Sequence, residues 1–279
     1  MSSKKRTGGN PARAGEVEDA REARRAKAAA LRQRELARER SRRVLLVSIA
    51  VVVVLALAAV VFVVIDRSRQ DDVPLAAQAV PPSASGNGAG LVLAGTPAAG
   101  APTVDVWLDY QCPYCARFEA AAGDAVVELA SSGQATVVVH TLTFLDGNLG
   151  NDSSQRAAEA AAAADAQGRF AEYNQVVFAN QPEQEGTGYT DAQLRDFAEQ
   201  AGVPDLEAWQ AAVDGHAYRD YVTSIADSQQ EAGVQGTPTV TVTPEGGEKS
   251  EIPIEQLLGA DPVGALQQAV AAATPAATP

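Results

Sequence analysis

Asp109-Tyr-Gln-Cys112-Pro-Tyr-Cys115-Ala-Arg-Phe118 holds both cysteines of the 279-residue chain, two positions apart. A strand-like run, Val104 to Leu108, leads into it. Beyond it Phe118, Ala122, Val126 and Leu129 recur at three- and four-residue spacing, one face of a helix. Cys112 is therefore expected at a helix N-terminus, where unpaired backbone N–H groups and the dipole favour an anion. A thiolate is such an anion, and the thiolate is the form that attacks disulfides. Pro113 suits the first helical turn, because the N–H it lacks would have had no partner there. Cys115 lies one turn on, close enough to close a small disulfide ring with Cys112.

Working outward, Gly133 separates that helix from a second strand, Ala135 to His140, and strand–helix–strand order implies a parallel pair joined by a right-handed crossover. Leu91–Leu93 reads as a short first strand. A long helical stretch follows from Asn151 to Ala232. Thr190-Asp-Ala-Gln193 is a capping box, and Leu206, Trp209 and Val213 form a stripe that Gly215 ends. Tyr218, Tyr221, Val222 and Ile225 form the next, stopped by Gly233. Pro238–Val242 returns to a strand pattern, and the Pro-Glu-Gly-Gly turn at 244–247 leads into Glu248–Ile252 as an antiparallel hairpin. A last helix, Ile254 to Ala272, is interrupted near Asp261-Pro262. Trp107 and Trp209 read as core, His140 as a strand end and His216 as a helix start, neither histidine catalytic.

Charge divides the chain. Residues 1–43 carry 14 Lys+Arg against 6 Asp+Glu, whereas residues 66–279 carry 8 against 29. Between them Val44–Ile65 offers 22 residues with Ser48 as the only polar one, long enough to cross a bilayer core. The basic flank puts the N-terminus in the cytoplasm and the acidic C-terminal part outside. A cleaved signal peptide would need a shorter apolar region and a nearby small-residue site; here Asp66-Arg-Ser-Arg-Gln-Asp-Asp72 follows the span. The expected organisation is a basic cytoplasmic tail (1–43), a transmembrane helix (44–65), a flexible linker (66–88), a folded domain (89–273, helical insertion about 150–232) and a disordered tail (274–279). Beside a membrane span the basic tail needs no nucleic acid to explain it. In an oxidising compartment a two-cysteine disulfide persists.

With Asp109-Tyr-Gln-Cys-Pro-Tyr-Cys115 and Gly236-Thr-Pro-Thr239 both in view, residues 89–272 resemble the DsbA-like branch of the thioredoxin superfamily, in its membrane-anchored actinobacterial form. The resemblance implies an α/β thioredoxin-like fold with a helical insertion, following a single transmembrane helix. It implies a thiol:disulfide oxidoreductase that forms disulfides in exported proteins through Cys112 and Cys115, with Pro113 and Tyr114 as the intervening redox-motif residues. Pro238 would be cis and Thr237 would offer its backbone to an extended substrate. The implied recycling partner is a membrane quinone-linked oxidase of the DsbB or vitamin K epoxide reductase-like type. No metal or organic cofactor is expected, the redox group being the Cys112–Cys115 disulfide. Relatives with similar motifs also reduce or isomerise, so those activities stay as alternatives, as does a tethered client-binding module with incidental cysteines. One departure stands out. The family's buried acid six residues before the first cysteine is Val106 here, and Asp109 reads as the exposed end of the strand, leaving the proton acceptor for Cys115 open. Tyr114 cannot supply the imidazolium that a histidine would. Arg117 could assist the thiolate, with Glu119 opposing it.

Overall fold

The structure, a computed structural model, describes residues 78–86 and 88–275. The expected basic tail and Val44–Ile65 span lie outside the described residues, among which no helix is long and apolar enough to cross a membrane.

The sheet has five strands: β1 (Leu91–Val92), β2 (Thr103–Asp109), β3 (Thr136–Leu142), β4 (Thr239–Thr243) and β5 (Ser250–Glu251), in the order β1-β3-β2-β4-β5. The β2–β3 pair is parallel, as strand–helix–strand order requires, and the other three pairs are antiparallel. Between β2 and β3 runs α1 (Pro113–Ser131), whose Phe118, Ala122, Val126 and Leu129 are buried as the spacing predicts. Gly133, at φ 73°, ends it in the left-handed conformation that favours glycine.

Six helices separate β3 from β4: α2 (Phe144–Leu149), α3 (Ser153–Asp165), α4 (Phe170–Ala179), α5 (Asp191–Gln200), α6 (Leu206–Asp214) and α7 (Arg219–Glu231). Helix α3 is their hub. Its Ala157, Ala158 and Ala160 to Ala164 are all buried, and it packs against α4, α6, α7 and β3. Small side chains on every side let several elements approach one backbone. Trp209 on α6 is buried against it and donates its indole N–H to Ala160 O at 3.0 Å. After the β4–β5 hairpin come α8 (Ile254–Leu257) and α9 (Pro262–Ala273), the break falling at Asp261, whose side chain accepts from Gly264 N.

Four expectations need correction. His140 does not end its strand, since β3 continues to Leu142. Its ring stacks on Trp107 at 3.8 Å and its nitrogens meet Ala89 O and Asp105 Oδ1. His216 does not start a helix. It sits at φ 50° in the turn before α7, 2.8 Å from the buried Glu159 carboxylate. Asp109 is not exposed but wholly buried. Finally, residues 78–86 belong to the folded part rather than to a linker. Ala79 N donates to Ala217 O, the Gln78 amide bridges His216 O and Asp220 N, and Ser83 N donates to the Asp165 carboxylate.

At the start of α5 the capping box is complete: Gln193 N donates to Thr190 Oγ1, and Thr190 N donates to Gln193 Oε1. Thr190→Ala is expected to cost about 1 kcal/mol of stability in urea denaturation, with the transition remaining cooperative.

Candidate active site

Strand β2 ends at Asp109, and Cys112 N donates back to Asp109 O at 2.9 Å, turning the chain directly into α1. Cys112 is the N-cap residue (φ −78°, ψ 116°) and Pro113 opens the helix. A side-chain clasp fixes this turn. Asp109 Oδ1 accepts from Gln111 N (2.9 Å) and from Ser154 Oγ (2.6 Å), while its Oδ2 accepts from Leu145 N (3.2 Å). Gln111 Nε2 in turn donates toward Asp146 and Asn151 (2.7 and 2.9 Å), and Asn151 Nδ2 donates to Gln111 Oε1. From the opposite flank, Gln181 Nε2 donates to the carbonyls of both Tyr110 and Cys112. The residues between β3 and β4 thus grip the redox turn from two sides.

Both cysteines are thiols. Cys112 is 5% exposed and Cys115 0%. Thr237–Pro238 is a cis peptide, and Cys112 Sγ donates to Thr237 O at 3.4 Å. Cys112, Pro113, Tyr114, Cys115, Thr237 and Pro238 therefore meet at one place, although 125 residues separate Cys112 from Thr237. Tyr114 and Pro113 face solvent, and Pro238 is buried.

The two sulfurs are unlike. The Cys112 thiol is lowered to about 6, first because the Cys115 thiol can donate to its thiolate. Burial opposes this, while the Thr237 side chain and the backbone N–H groups of Cys115 and Tyr114 add to it. Those N–H groups belong to the first turn of α1, as the helix-start argument requires. The Thr237 hydroxyl is buried with no partner beside the two thiols, so it can turn to donate once a thiolate forms. Arg117 is not among the groups that lower Cys112. Cys115 goes the other way, raised by burial and by its neighbour.

Two acids lie close to the motif: Asp109, expected at an exposed strand end, is wholly buried, and Glu119 is half-buried. Burial raises Asp109 to about 6 in spite of its three hydrogen bonds. Glu119, on the turn after Cys115, is raised to about 7 by burial. Asn174 Nδ2 donates to Glu119 Oε1 (2.9 Å), and Tyr110 OH donates to Asn174 Oδ1 (3.0 Å). Their signal in the sequence was only the proximity of acids to the motif; burial came from α4 and α3 closing over them. Among the described residues no group of His, Cys, Asp and Glu could hold a metal.

Against this geometry, the thioredoxin family model matches residues 88–256. The chain belongs to the thioredoxin family. Its fold is similar to MdbA, a thiol-disulfide oxidoreductase from Actinomyces oris (21% identity, 69% of this chain, 92% of that one, TM-score 0.56). It is also similar to MdbA, a thiol-disulfide oxidoreductase from Corynebacterium diphtheriae (21% identity, 68% and 96%, TM-score 0.52). BdbD from Bacillus subtilis in its oxidised form aligns with 19% identity, 70% and 97% coverage and a TM-score of 0.53. No curated protein matches the chain significantly.

Alkylation of the reduced protein at Cys112 is expected to rise with a midpoint near pH 6, followed by iodoacetamide kinetics, with Cys115 unreactive at neutral pH. Asp109 gives a second pH signature. Its folded value (about 6) exceeds its ordinary 3.8, so the folded chain holds a proton that the unfolded chain has lost between those values. Stability from this group is full below 3.8 and is lost as pH rises through about 6. The stability difference between the wild type and Asp109→Asn should accordingly fall over that window, read from urea curves at successive pH values.

Proposed function

We propose that this chain is a membrane-tethered, extracytoplasmic thiol:disulfide oxidoreductase that forms disulfides in exported proteins through Cys112 and Cys115. The observation that carries the reading is the asymmetry of the pair, one sulfur favoured as thiolate at a helix end and its neighbour buried and held protonated.

In the oxidised enzyme a substrate thiolate attacks Cys112 Sγ. The Cys112–Cys115 bond breaks, the substrate sulfur joins Cys112, and Cys115 leaves as a thiolate that takes up a proton. A second substrate thiolate then attacks the substrate's own sulfur in the mixed disulfide and expels Cys112 as a thiolate. The substrate has lost two electrons to the enzyme; of the two protons its thiols gave up on ionising, one is taken up at Cys115 and the other stays in solvent, Cys112 remaining a thiolate. Because the expelled Cys112 thiolate is stabilised, the reduced enzyme is favoured, which drives oxidation of the substrate. Thr237, its carbonyl facing Cys112, supplies backbone to an extended substrate segment beside Pro238. Reoxidation falls to a membrane quinone-linked oxidase of the DsbB or vitamin K epoxide reductase-like type. Proton uptake at Cys115 can draw on Asp109, whose backbone N–H faces that sulfur and whose own carboxyl titrates near 6.

The lowering of Cys112 to about 6 falls between thioredoxin (about 7) and the strongest oxidases (about 3.5). Equilibration with glutathione and thiol trapping should therefore give a potential between about −270 and about −120 mV. Cys112→Ala should abolish oxidation of a reduced protein substrate, and Cys115→Ala should accumulate the mixed disulfide. Undiminished oxidation by Cys112→Ala would refute the scheme. A potential near the thioredoxin end would turn it toward reduction.

A further inference from the structure

The folded domain is strongly acidic, and its six described cations are almost all engaged internally. Arg156 pairs with Asp152 and Asp191, Arg169 with Glu172, and Arg219 lies 3.6 Å from the buried Glu159. Arg195 donates to Gln210 and Lys249 to Ala232 O. Arg117 alone, among the described residues, makes no ion pair or hydrogen bond; its guanidinium lies over the Tyr114 ring, 5.8 Å from the centroid. The acid nearest to it on α1, Glu119, is turned inward to Asn174. The groups that hold the thiolate are Cys115, Thr237 and the helix N–H groups.

Its stacking partner is equally unusual. Tyr114 is 53% exposed, while no other described aromatic side chain is exposed. The one exposed ring and the one uncommitted cation therefore touch each other, three positions apart on the first turns of α1, with Tyr114 standing between the two cysteines. An arginine laid over a ring is orientated in advance, with its planar fork of donors still open to a carboxylate.

We infer that Tyr114 and Arg117 form a recognition patch for substrates that carry an acidic side chain next to the reacting cysteine. The inference rests on the redox function proposed above. Arg117 lies five positions beyond Cys112 on the helix, about 7.5 Å along its axis, and an extended chain advances about 3.3 Å per residue, so the side chain of the first or second neighbour of a sulfur bonded to Cys112 is within reach of the pair. The acidic remainder of the domain repels such a substrate at long range. At 0.15 M salt that field is screened within about 8 Å, and the charge in contact decides.

The test uses the full chain in detergent, oxidised, and two reduced peptides that differ only in carrying Asp or Lys beside the cysteine. Rates are measured at 0.15 M salt and each is divided by the same protein's rate with uncharged dithiothreitol. The Asp-to-Lys rate ratio is expected to fall about fivefold in Arg117→Gln, equivalent to about 1 kcal/mol, and further in Arg117→Glu. An unchanged ratio in both variants, with dithiothreitol exchange intact, overturns the inference while leaving the redox function standing. A shift of the Cys112 alkylation midpoint in Arg117→Gln also overturns it, since Arg117 would then act on the thiolate. Absence of dithiothreitol exchange in the wild type removes the redox function itself, and the patch with it.

Discussion

Everything at the redox centre depends on a turn of three residues in which strand β2 becomes helix α1. The Cys112 N–H closes onto Asp109 O, so the sulfur emerges where helical N–H groups still lack partners. Were the turn looser, Cys112 would lie off the helix axis and lose the N–H groups of Tyr114 and Cys115 that favour its thiolate. The constraint is enforced by side chains. Buried Asp109 takes hydrogen bonds from the turn itself, from the start of α2 and from α3, tying three segments to one carboxylate.

That arrangement has an electrostatic consequence. The same packing that holds the turn strips water from Asp109, Glu119 and Cys115, and each is pushed toward its protonated form. Cys112 escapes because donors surround it: a neighbouring thiol, a threonine side chain and two backbone N–H groups outweigh its own burial. A site with one anion and several buried proton carriers suits chemistry in which thiolates are made and quenched in turn. The departure at Val106 is consistent with this, since Asp109, whose backbone N–H faces Cys115, brings a titratable carboxyl to the turn by another route.

The residues between β3 and β4 also do more than enlarge the domain. Their alanine-rich helix α3 brings Ser154 beneath Asp109 and carries Glu159 to His216 and Arg219. The segment 78–86 docks on the neighbouring turn and on Asp165. The chain's entry into the domain and its redox turn therefore share one supporting helix, with the shortest side chains where the packing is closest.

Periodicity and local chemistry settled much of this in advance. The spacing of Phe118, Ala122, Val126 and Leu129 specified α1 and its buried face, and Thr190 with Gln193 specified the start of α5, because these signals act within a turn or two of backbone. The parallel β2–β3 pair followed from element order alone. What the sequence could not express is which groups lose water. Asp109 reads as a strand end open to solvent, and becomes buried only when Ser154 and Leu145, 45 and 36 residues away, close over it. His216 looks like the start of a helix, yet it occupies a left-handed turn facing Glu159. The meeting of Cys112 with Thr237 likewise needs β2 and β4 side by side in the sheet. Burial and long-range approach are properties of the assembled chain, so the sequence determined the reactive pair and its helix, and the tertiary structure decided the proton affinities around them.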